Sequence, residues 1–161
     1  MEREFLSDVV VANALLEMYA KCRSIHKAHE LFGKISQRDV VSWNTMIIGY
    51  AQISALDKAI IFFEEMAQPN VISWNVMVVG YAQCGFVVKA LETFKKMQST
   101  GLKPNFAMFV SILLGNAIVG ALEWDMGIHQ SIVKCGYMSD FTIASSLVDM
   151  YAKCGSIRKA C

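Results

Sequence analysis

The chain has 161 residues, of which 55% are hydrophobic and 18% are charged, and its formal net charge is +1. This length and composition exclude a disordered segment and allow a domain with a sizeable core. Because the charge is nearly neutral, bulk electrostatics gives no reason to predict binding to nucleic acid, to an anionic membrane or to an acidic substrate.

One segment recurs along the whole chain. The sequence DVVSWNTMIIGYAQ, from Asp39 to Gln52, returns as NVISWNVMVVGYAQ from Asn70 to Gln83. Looser copies end in MYAKC at Cys22 and Cys154, and successive copies are offset by 31, 31, 35 and 35 residues. A period between about 20 and 50 residues indicates an α-solenoid or related array, in which each unit buries its apolar face against its neighbours.

In chain order, residues 1–8 read as the tail of an earlier repeat. The repeats that follow are residues 9–39, 40–70, 71–105 and 106–140, with an incomplete fifth at residues 141–161. Apolar residues at helical spacing predict two helices in each, as with Leu16 in a first helix and Phe32 in a second. The sequence therefore predicts an all-α chain of stacked helix-turn-helix units.

Turn and cap residues divide these helices. Ser24 and Ser54 lie where second helices need an N-cap, and Gly136 lies where one should end. Four polar residues close repeats just before a first helix, where they favour N-capping: Asp39, Asn70, Asn105 and Asp140. The uncharged run 106–122 is interpreted as repeat rather than membrane span, with interhelix turns expected at Gly115, Asn116 and Gly120.

Cysteine, tryptophan and histidine residues have both structural and functional interpretations. Cys22, Cys84 and Cys154 share one register, which predicts buried packing, and without a Cys-x-x-Cys pair a zinc or redox site has little support. The odd number of cysteines favours a reducing compartment. Trp43 and Trp74 could stack on bases, but their helical phase favours packing. His26 and His29 could share a metal, although no third ligand is evident.

These repeats resemble pentatricopeptide repeats (PPR) of the plant type that alternates long, short and standard motifs (PLS-type). The resemblance rests on VVSWNTMI at residues 40–47, SLVDMYAKCGS at residues 146–156 and GLKPN at residues 101–105. By length, the first two repeats are short, the third standard, the fourth long and the fifth an incomplete short one. The resemblance implies a fragment of a longer protein that forms a right-handed superhelix and binds single-stranded RNA, one nucleotide per repeat.

The resemblance also implies roles for particular residues. The fifth and last residues of a repeat read the base: Asn13 with Asp39, Asn44 with Asn70, and Asn75 with Asn105. The second residue clamps it: Val10, Val41 and Ile72. Residues at the end of the first helix lie near phosphate: Lys21, Gln52, Gln83 and Lys153. The fourth repeat has Val110 with Asp140 and lacks a polar reader.

Reader chemistry predicts which bases bind. An amide offers a donor and an acceptor, whereas a carboxylate only accepts and so favours a base with a ring N–H, such as uracil. The resemblance implies uridine at the first repeat and a pyrimidine, C or U, at the second and third. It also implies a role in mitochondrial or chloroplast RNA processing or C-to-U editing, alongside protein partners, although no transit peptide is visible at residues 1–8.

Catalytic motifs are not found in the sequence. It has neither the His-x-Glu and Cys-x-x-Cys zinc signature of a deaminase-like domain nor a phosphate-binding loop. We therefore expect no enzyme activity, cofactor, metal, membrane contact or small-molecule substrate. The alternative function is a tetratricopeptide-like scaffold that binds a peptide in a concave groove, but the offsets of 31 and 35 residues and the Asp or Asn at each repeat end count against it.

Overall fold

The computed structural model describes residues 8–119 and 125–153, in which all regular secondary structure is helical. The helices are α1 Val9–Lys21, α2 Ile25–Lys34, α3 Val40–Gln52, α4 Leu56–Glu65, α5 Val71–Gln83, α6 Val87–Ser99, α7 Phe106–Val119, α8 Asp125–Cys135 and α9 Phe141–Lys153. Within these described ranges, every helix is too short or too polar to span a membrane. The chain divides into two compact units, Met1–Val76 and Met77–Cys161.

Each first helix that follows a closing residue is capped by it. The side chain of Asp39 accepts a hydrogen bond from the Ser42 N–H at 2.9 Å, and that of Asn70 accepts from the Ser73 N–H at 3.1 Å. Asn105 accepts from the Met108 N–H at 3.0 Å, and Asp140 accepts from the N–H groups of Thr142 and Ile143 at 2.8 and 3.1 Å. The capping predicted for these four residues is confirmed, since they satisfy backbone donors that a helix leaves free at its start.

The turns inside the hairpins differ from the sequence prediction. Ser24 precedes α2, but its side chain makes no capping hydrogen bond. The prediction for Ser54 is wrong, because α4 begins at Leu56 after Ala55. Ser54 instead has a φ of 60° and occupies the left-handed turn that Gly85 makes with a φ of 79° in a later repeat. Gly136, with a φ of 77°, follows the end of α8 as predicted.

The core of the first unit joins its two hairpins. Helix α3 packs against both α1 and α2, so the second hairpin stacks on the first. Rings of Phe32, Trp43 and Phe62 meet edge to face with centroids 4.9, 5.2 and 6.0 Å apart. Trp74 packs against Phe63 in the same way at 4.8 Å. The packing interpretation of both tryptophans is confirmed, because their rings are covered by other rings of the core.

The second unit has a core of its own. Helix α7 packs against α6 and α9, and Phe109 contacts both Phe94 and Tyr137 with centroids 5.7 Å apart in each case. The turn predicted at Gly115 and Asn116 is wrong, because α7 continues to Val119; Gly120 lies outside the described residues. A Cβ at residue 115 would lie 3.4 Å from Val87, at van der Waals contact, so Gly115 lies where α7 meets α6.

The burial predicted for the cysteines is also wrong. Cys22 and Cys84 are exposed, and Cys154 lies outside the described residues. Both exposed cysteines directly follow the end of a first helix, α1 at Lys21 and α5 at Gln83. The shared register therefore marks a helix end on the surface rather than a packed position.

Candidate functional site

The predicted readers of the first repeat are in direct contact. The Asn13 side-chain amide donates from Nδ2 to both carboxylate oxygens of Asp39, at 3.0 and 3.1 Å. Its Oδ1 accepts a hydrogen bond from the Ser42 hydroxyl at 2.6 Å. Residues that are 26 and 29 positions apart in sequence therefore meet because the second hairpin stacks on the first. We call Asn13, Asp39 and Ser42 the first junction.

A second junction repeats this arrangement one repeat later. Asn44 Nδ2 donates to Asn70 Oδ1 at 3.2 Å, and Asn44 Oδ1 accepts from the Ser73 hydroxyl at 2.6 Å. Asn44 is only 6% exposed, and Ser73 is fully buried. We call Asn44, Asn70 and Ser73 the second junction. The same three hydrogen-bonding positions thus recur with a carboxylate in one junction and an amide in the other.

Asp39 is charged in the first junction. Partial burial acts to raise the pKa of its carboxyl, but the hydrogen bonds that it accepts, above all from the Ser42 N–H and the Asn13 amide, outweigh that effect. The net result is a pKa below the ordinary value of 3.8. The carboxylate is therefore ionised at neutral pH and acts only as an acceptor.

Of the third predicted pair, Asn75 belongs to the first unit and Asn105 to the second. Asn75 Oδ1 is buried and has no hydrogen-bond partner among the described residues. Asn105 caps α7 through the Met108 N–H. In sequence, Met108 occupies the register of Ser42 and Ser73, and its thioether has no O–H donor. The third repeat therefore shares the reader residues of the second but lacks its serine.

Exposed apolar residues stand beside the readers. Val10 is 76% exposed, Val41 55% and Ile72 52%. Each lies three positions before the fifth residue of its repeat on the same helix, a spacing that puts two side chains on one helix face. The predicted clamping residues thus offer apolar surface to solvent next to Asn13, Asn44 and Asn75.

The residues predicted near phosphate lie at the other end of their helices. Lys21, Gln52, Gln83 and Lys153 are the last residues of α1, α3, α5 and α9 and are exposed. Eight residues of helix, about 12 Å, separate each from the fifth position of its repeat. Lys21 pairs with Glu17 at 2.8 Å, and Lys153 pairs with Asp149 at 2.6 Å. The structure does not join this group to the reader junctions.

Other candidate groups have structural partners or no polar chemistry. The His29 Nδ1 lies 2.6 Å from the Tyr50 hydroxyl. Across the part of the chain that the structure describes, no three His, Cys, Asp or Glu side chains are grouped to hold a metal. Val110 in the fourth repeat is half-buried and apolar. Among the predicted base-reading residues, the hydrogen-bonded polar pairs that the structure describes are therefore those of the first two junctions.

Sequence reasoning missed Ser42 and Ser73 as members of the site. Both stand three residues after an Asp or Asn that precedes a helix, which is the pattern of a reciprocal N-terminal cap. The Asp39 N–H indeed donates to Ser42 Oγ at 3.3 Å, and the Asn70 N–H donates to Ser73 Oγ at 3.2 Å. The additional bond to the reader was not visible because it joins residues 29 positions apart. A recurring serine 29 positions after each of two recurring asparagines was the available signal.

Sequence comparison finds PPR relatives. The family model described as PPR repeat matches residues 10–40 and 41–70, and that described as PPR repeat family matches residues 69–114. Pentatricopeptide repeat-containing protein At4g38010 of Arabidopsis thaliana is 30% identical over 99% of this chain and 23% of its own length. The mitochondrial protein At2g22410 of the same plant is 43% identical over 94% of this chain and 22% of its own length. The chain thus spans less than a quarter of either relative.

Solved structures share the fold. The crystal structure of PPR10 from maize matches with a TM-score of 0.78 at 21% identity, covering 96% of this chain and 23% of that one. PPR10 in complex with an 18-nt psaJ RNA element matches with a TM-score of 0.68 at 22% identity, covering 95% and 24%. The fold is an all-α helical-repeat solenoid. Together with the family matches along residues 10–114, this shows that the chain belongs to the pentatricopeptide repeat family.

Proposed function

We propose that this chain binds single-stranded RNA and reads pyrimidine bases at its first two junctions. The observation that carries the proposal is the recurrence of one hydrogen-bonded pair, Asn13 with Asp39 and Asn44 with Asn70, beside an exposed aliphatic side chain. A protein that stacks such pairs at a regular interval presents one polar edge and one apolar surface per repeat. The RNA complex of the structural neighbour PPR10 supports this choice of ligand.

The first junction suits uracil. Asp39 is exposed, and its Oδ2 accepts from the Asn13 amide at 3.1 Å, so this oxygen keeps lone-pair capacity for a ring N–H. The Asn13 amide also keeps a second N–H, which a base carbonyl can accept. Uracil presents a ring N–H flanked by carbonyl oxygens, whereas the corresponding ring nitrogen of cytosine is an acceptor. A lowered pKa keeps Asp39 in the acceptor-only form that makes this distinction.

The second junction suits either pyrimidine. Asn70 carries an NH₂ group, which can donate to a carbonyl oxygen of uracil or to the ring nitrogen of cytosine. Its Oδ1 is already engaged by Asn44 and by the N–H groups of Ile72 and Ser73, which leaves its NH₂ group available. With the RNA running from 5′ to 3′ along the chain, the expected order is U, then C or U. The third pair, Asn75 with Asn105, extends the proposal to a third pyrimidine.

Affinity for short RNA should be weak. Stacking contributes roughly 1–3 kcal/mol per base, so three bases give a gross gain of about 3–9 kcal/mol before ordering costs. This corresponds to a dissociation constant in the micromolar range or above. Because Lys21 and Lys153 pair with acidic residues and Gln52 and Gln83 are uncharged, we expect a shallow dependence of binding on salt.

The biological role that we propose is recognition in organellar RNA processing or C-to-U editing. The mitochondrial designation of several Arabidopsis thaliana relatives, such as At3g02330 and At2g22410, supports an organelle, and a chloroplast remains the second candidate compartment. In this proposal the chain selects the RNA, and a protein partner or another part of a longer protein supplies the catalysis.

Binding to matched RNAs tests the proposal. The 161-residue chain is titrated at low salt with a single-stranded RNA containing U-C-C and with one in which purines replace these bases. We expect tighter binding of the pyrimidine RNA, and loss of that preference in Asn44→Ala. Asp57→Ala, an exposed change on α4, is the matched control and should leave the preference intact. Equal binding of both RNAs, or none, by folded protein contradicts the proposal, and selective binding of a peptide instead would favour the scaffold alternative.

A further inference from the structure

The two junction serines do more than cap a helix. Ser42 and Ser73 are fully buried, and each hydroxyl lies 2.6 Å from the Oδ1 of a reader asparagine. Capping requires only the closing residue and the backbone of the next helix. The contact to the preceding repeat is an additional interaction, and it falls on the side chain proposed to read the base.

The Ser42 hydroxyl has one proton and two side-chain acceptors within reach. Ser42 Oγ lies 3.0 Å from Asp39 Oδ1 but 2.6 Å from Asn13 Oδ1, and it accepts from the Asp39 N–H. Because a serine has a single O–H donor, the proton is assigned to the nearer acceptor, Asn13. The Asn13 oxygen is then turned toward Ser42 and its NH₂ group toward Asp39. The reversed amide would place its oxygen against the carboxylate and lose the hydroxyl donor.

The second junction is oriented through its backbone. The N–H groups of Ile72 and Ser73 donate to Asn70 Oδ1 at 3.0 and 3.1 Å, which fixes this atom as the acceptor. Asn44 must therefore turn its NH₂ group toward Asn70, and the Ser73 hydroxyl holds the other end of the same amide. Helix start, closing residue, serine and reader thus form one connected network with a single favourable orientation.

We propose that Ser42 and Ser73 are positioning residues for base reading, each fixing the orientation of the reader amide before a base arrives. The inference rests on the proposed RNA-binding function and deepens it. With both ends of the amide held, the second N–H of Nδ2 keeps one direction, and the junction presents a fixed pattern of donors and acceptors. Preorganisation of this kind increases the penalty for a mismatched base, because the reader does not rotate to accommodate it.

The third repeat supplies a natural contrast. Asn75 has the same side chain as Asn44, but its Oδ1 is buried without a hydrogen-bond partner among the described residues. Met108 holds the serine register of the following repeat, where no hydroxyl is available. We therefore expect the base at the third repeat to be discriminated less strictly than the base at the second, although both repeats carry an Asn–Asn pair.

The test is a crossover between two variants of the 161-residue chain. Ser42→Ala and Ser73→Ala each remove one hydroxyl, and binding is measured against RNAs that vary one base at a time. The base that loses its preference in Asn13→Ala or Asn44→Ala identifies the position read by each junction. Ser73→Ala should reduce the preference at the second base by about 3- to 10-fold and leave the first base unchanged, and Ser42→Ala should do the reverse. Ser73→Thr, which keeps the hydroxyl, should restore the preference.

Three outcomes overturn the inference. A uniform loss of affinity for all RNAs would mean that the serines act only through helix stability. An unchanged preference in folded Ser73→Ala would show that the amide needs no hydroxyl, while RNA reading itself would stand. Wild-type chain without any base preference would overturn the proposed function together with the inference. If Ser73→Ala does not fold, Ser73→Cys keeps a side chain of similar shape with a weak S–H donor, and it must lose preference at the second base alone.

Discussion

The two junctions of the first unit share their geometry but differ in charge and burial. In the first, an exposed carboxylate receives the amide of half-buried Asn13; in the second, a half-buried amide receives that of buried Asn44. The serine bond to the reader is 2.6 Å long in both. The comparison teaches that the serine contact to the asparagine is the same whether the closing side chain is a carboxylate or an amide, so under the proposed function the closing side chain sets the chemistry offered to a base.

The largest expected effect comes from removing the reader amides. Asn44→Ala removes the acceptor nearest to the buried Ser73 hydroxyl and the amide that donates to Asn70, so we expect a loss of about 2–3 kcal/mol in the free energy of unfolding. Asn13→Ala should lose only about 1 kcal/mol, because water can reach the exposed Asp39 carboxylate. Denaturant unfolding of both variants measures the difference. Equal losses would show that burial does not distinguish the two junctions.

Exchanging the closing residues should exchange the base preferences. Asp39→Asn gives the first junction the chemistry of the second, so its preference for uracil over cytosine should fall by about 3- to 10-fold, or about 1 kcal/mol. Asn70→Asp is the reciprocal change and should create a preference for uracil at the second base. Both variants retain an N-cap residue, so the fold should survive. If the preferences stay with the repeat rather than the side chain, the closing residue does not read the base.

Only the first junction should respond to acid. Because the pKa of Asp39 is lower in the folded chain than its ordinary value of 3.8, its ionised form stabilises the fold at neutral pH. That contribution is present above about pH 4 and is lost as the pH falls through the lowered pKa. Denaturant unfolding of wild type and Asp39→Asn between pH 7 and pH 3 should show the difference between them shrinking with acidity. A difference that is constant or grows with acidity would contradict the assignment.

The smallest effect on stability is expected at the exposed aliphatic residues. Val41→Ser should change the free energy of unfolding by less than about 0.5 kcal/mol, since the side chain is largely in solvent. Val10→Ser should behave alike. Each should nevertheless weaken RNA binding by about twofold, because the base loses an apolar contact. Ile61→Ser, at an exposed position on α4, is the matched control and should leave RNA binding unchanged.

Much of the fold follows from the repeat in the sequence. The 31- and 35-residue offsets predict the helix pairs, and Asp39, Asn70, Asn105 and Asp140 predict where first helices begin, because short polar side chains satisfy free N–H groups. The errors have a common cause. Ser54, Gly115 and the exposed cysteines were interpreted from residue type, whereas their surroundings depend on the left-handed turn and on how closely helices pack.

The candidate site was only partly predictable. Family resemblance paired Asn13 with Asp39 and Asn44 with Asn70, and the structure brings each pair into hydrogen-bonding contact. Ser42 and Ser73 were not predicted as site residues, because N-terminal capping of a helix is by itself a sufficient reason for a serine at these positions. The buried oxygen of Asn75 has no sequence signature at all, since burial of one atom depends on the packing of residues that are distant along the chain.

The closing residue has two tasks, and together they restrict which residue types can occupy that position. Asp39 and Asn70 start a helix with the same side-chain oxygen that receives the reader amide. Only Ser, Thr, Asp and Asn have a polar side chain short enough to cap a helix well. Glutamate and glutamine could hydrogen-bond to a base equally well but would leave the helix start unsatisfied. We infer that four residue types are available at this position, because the need to cap a helix limits the choice before any base is bound.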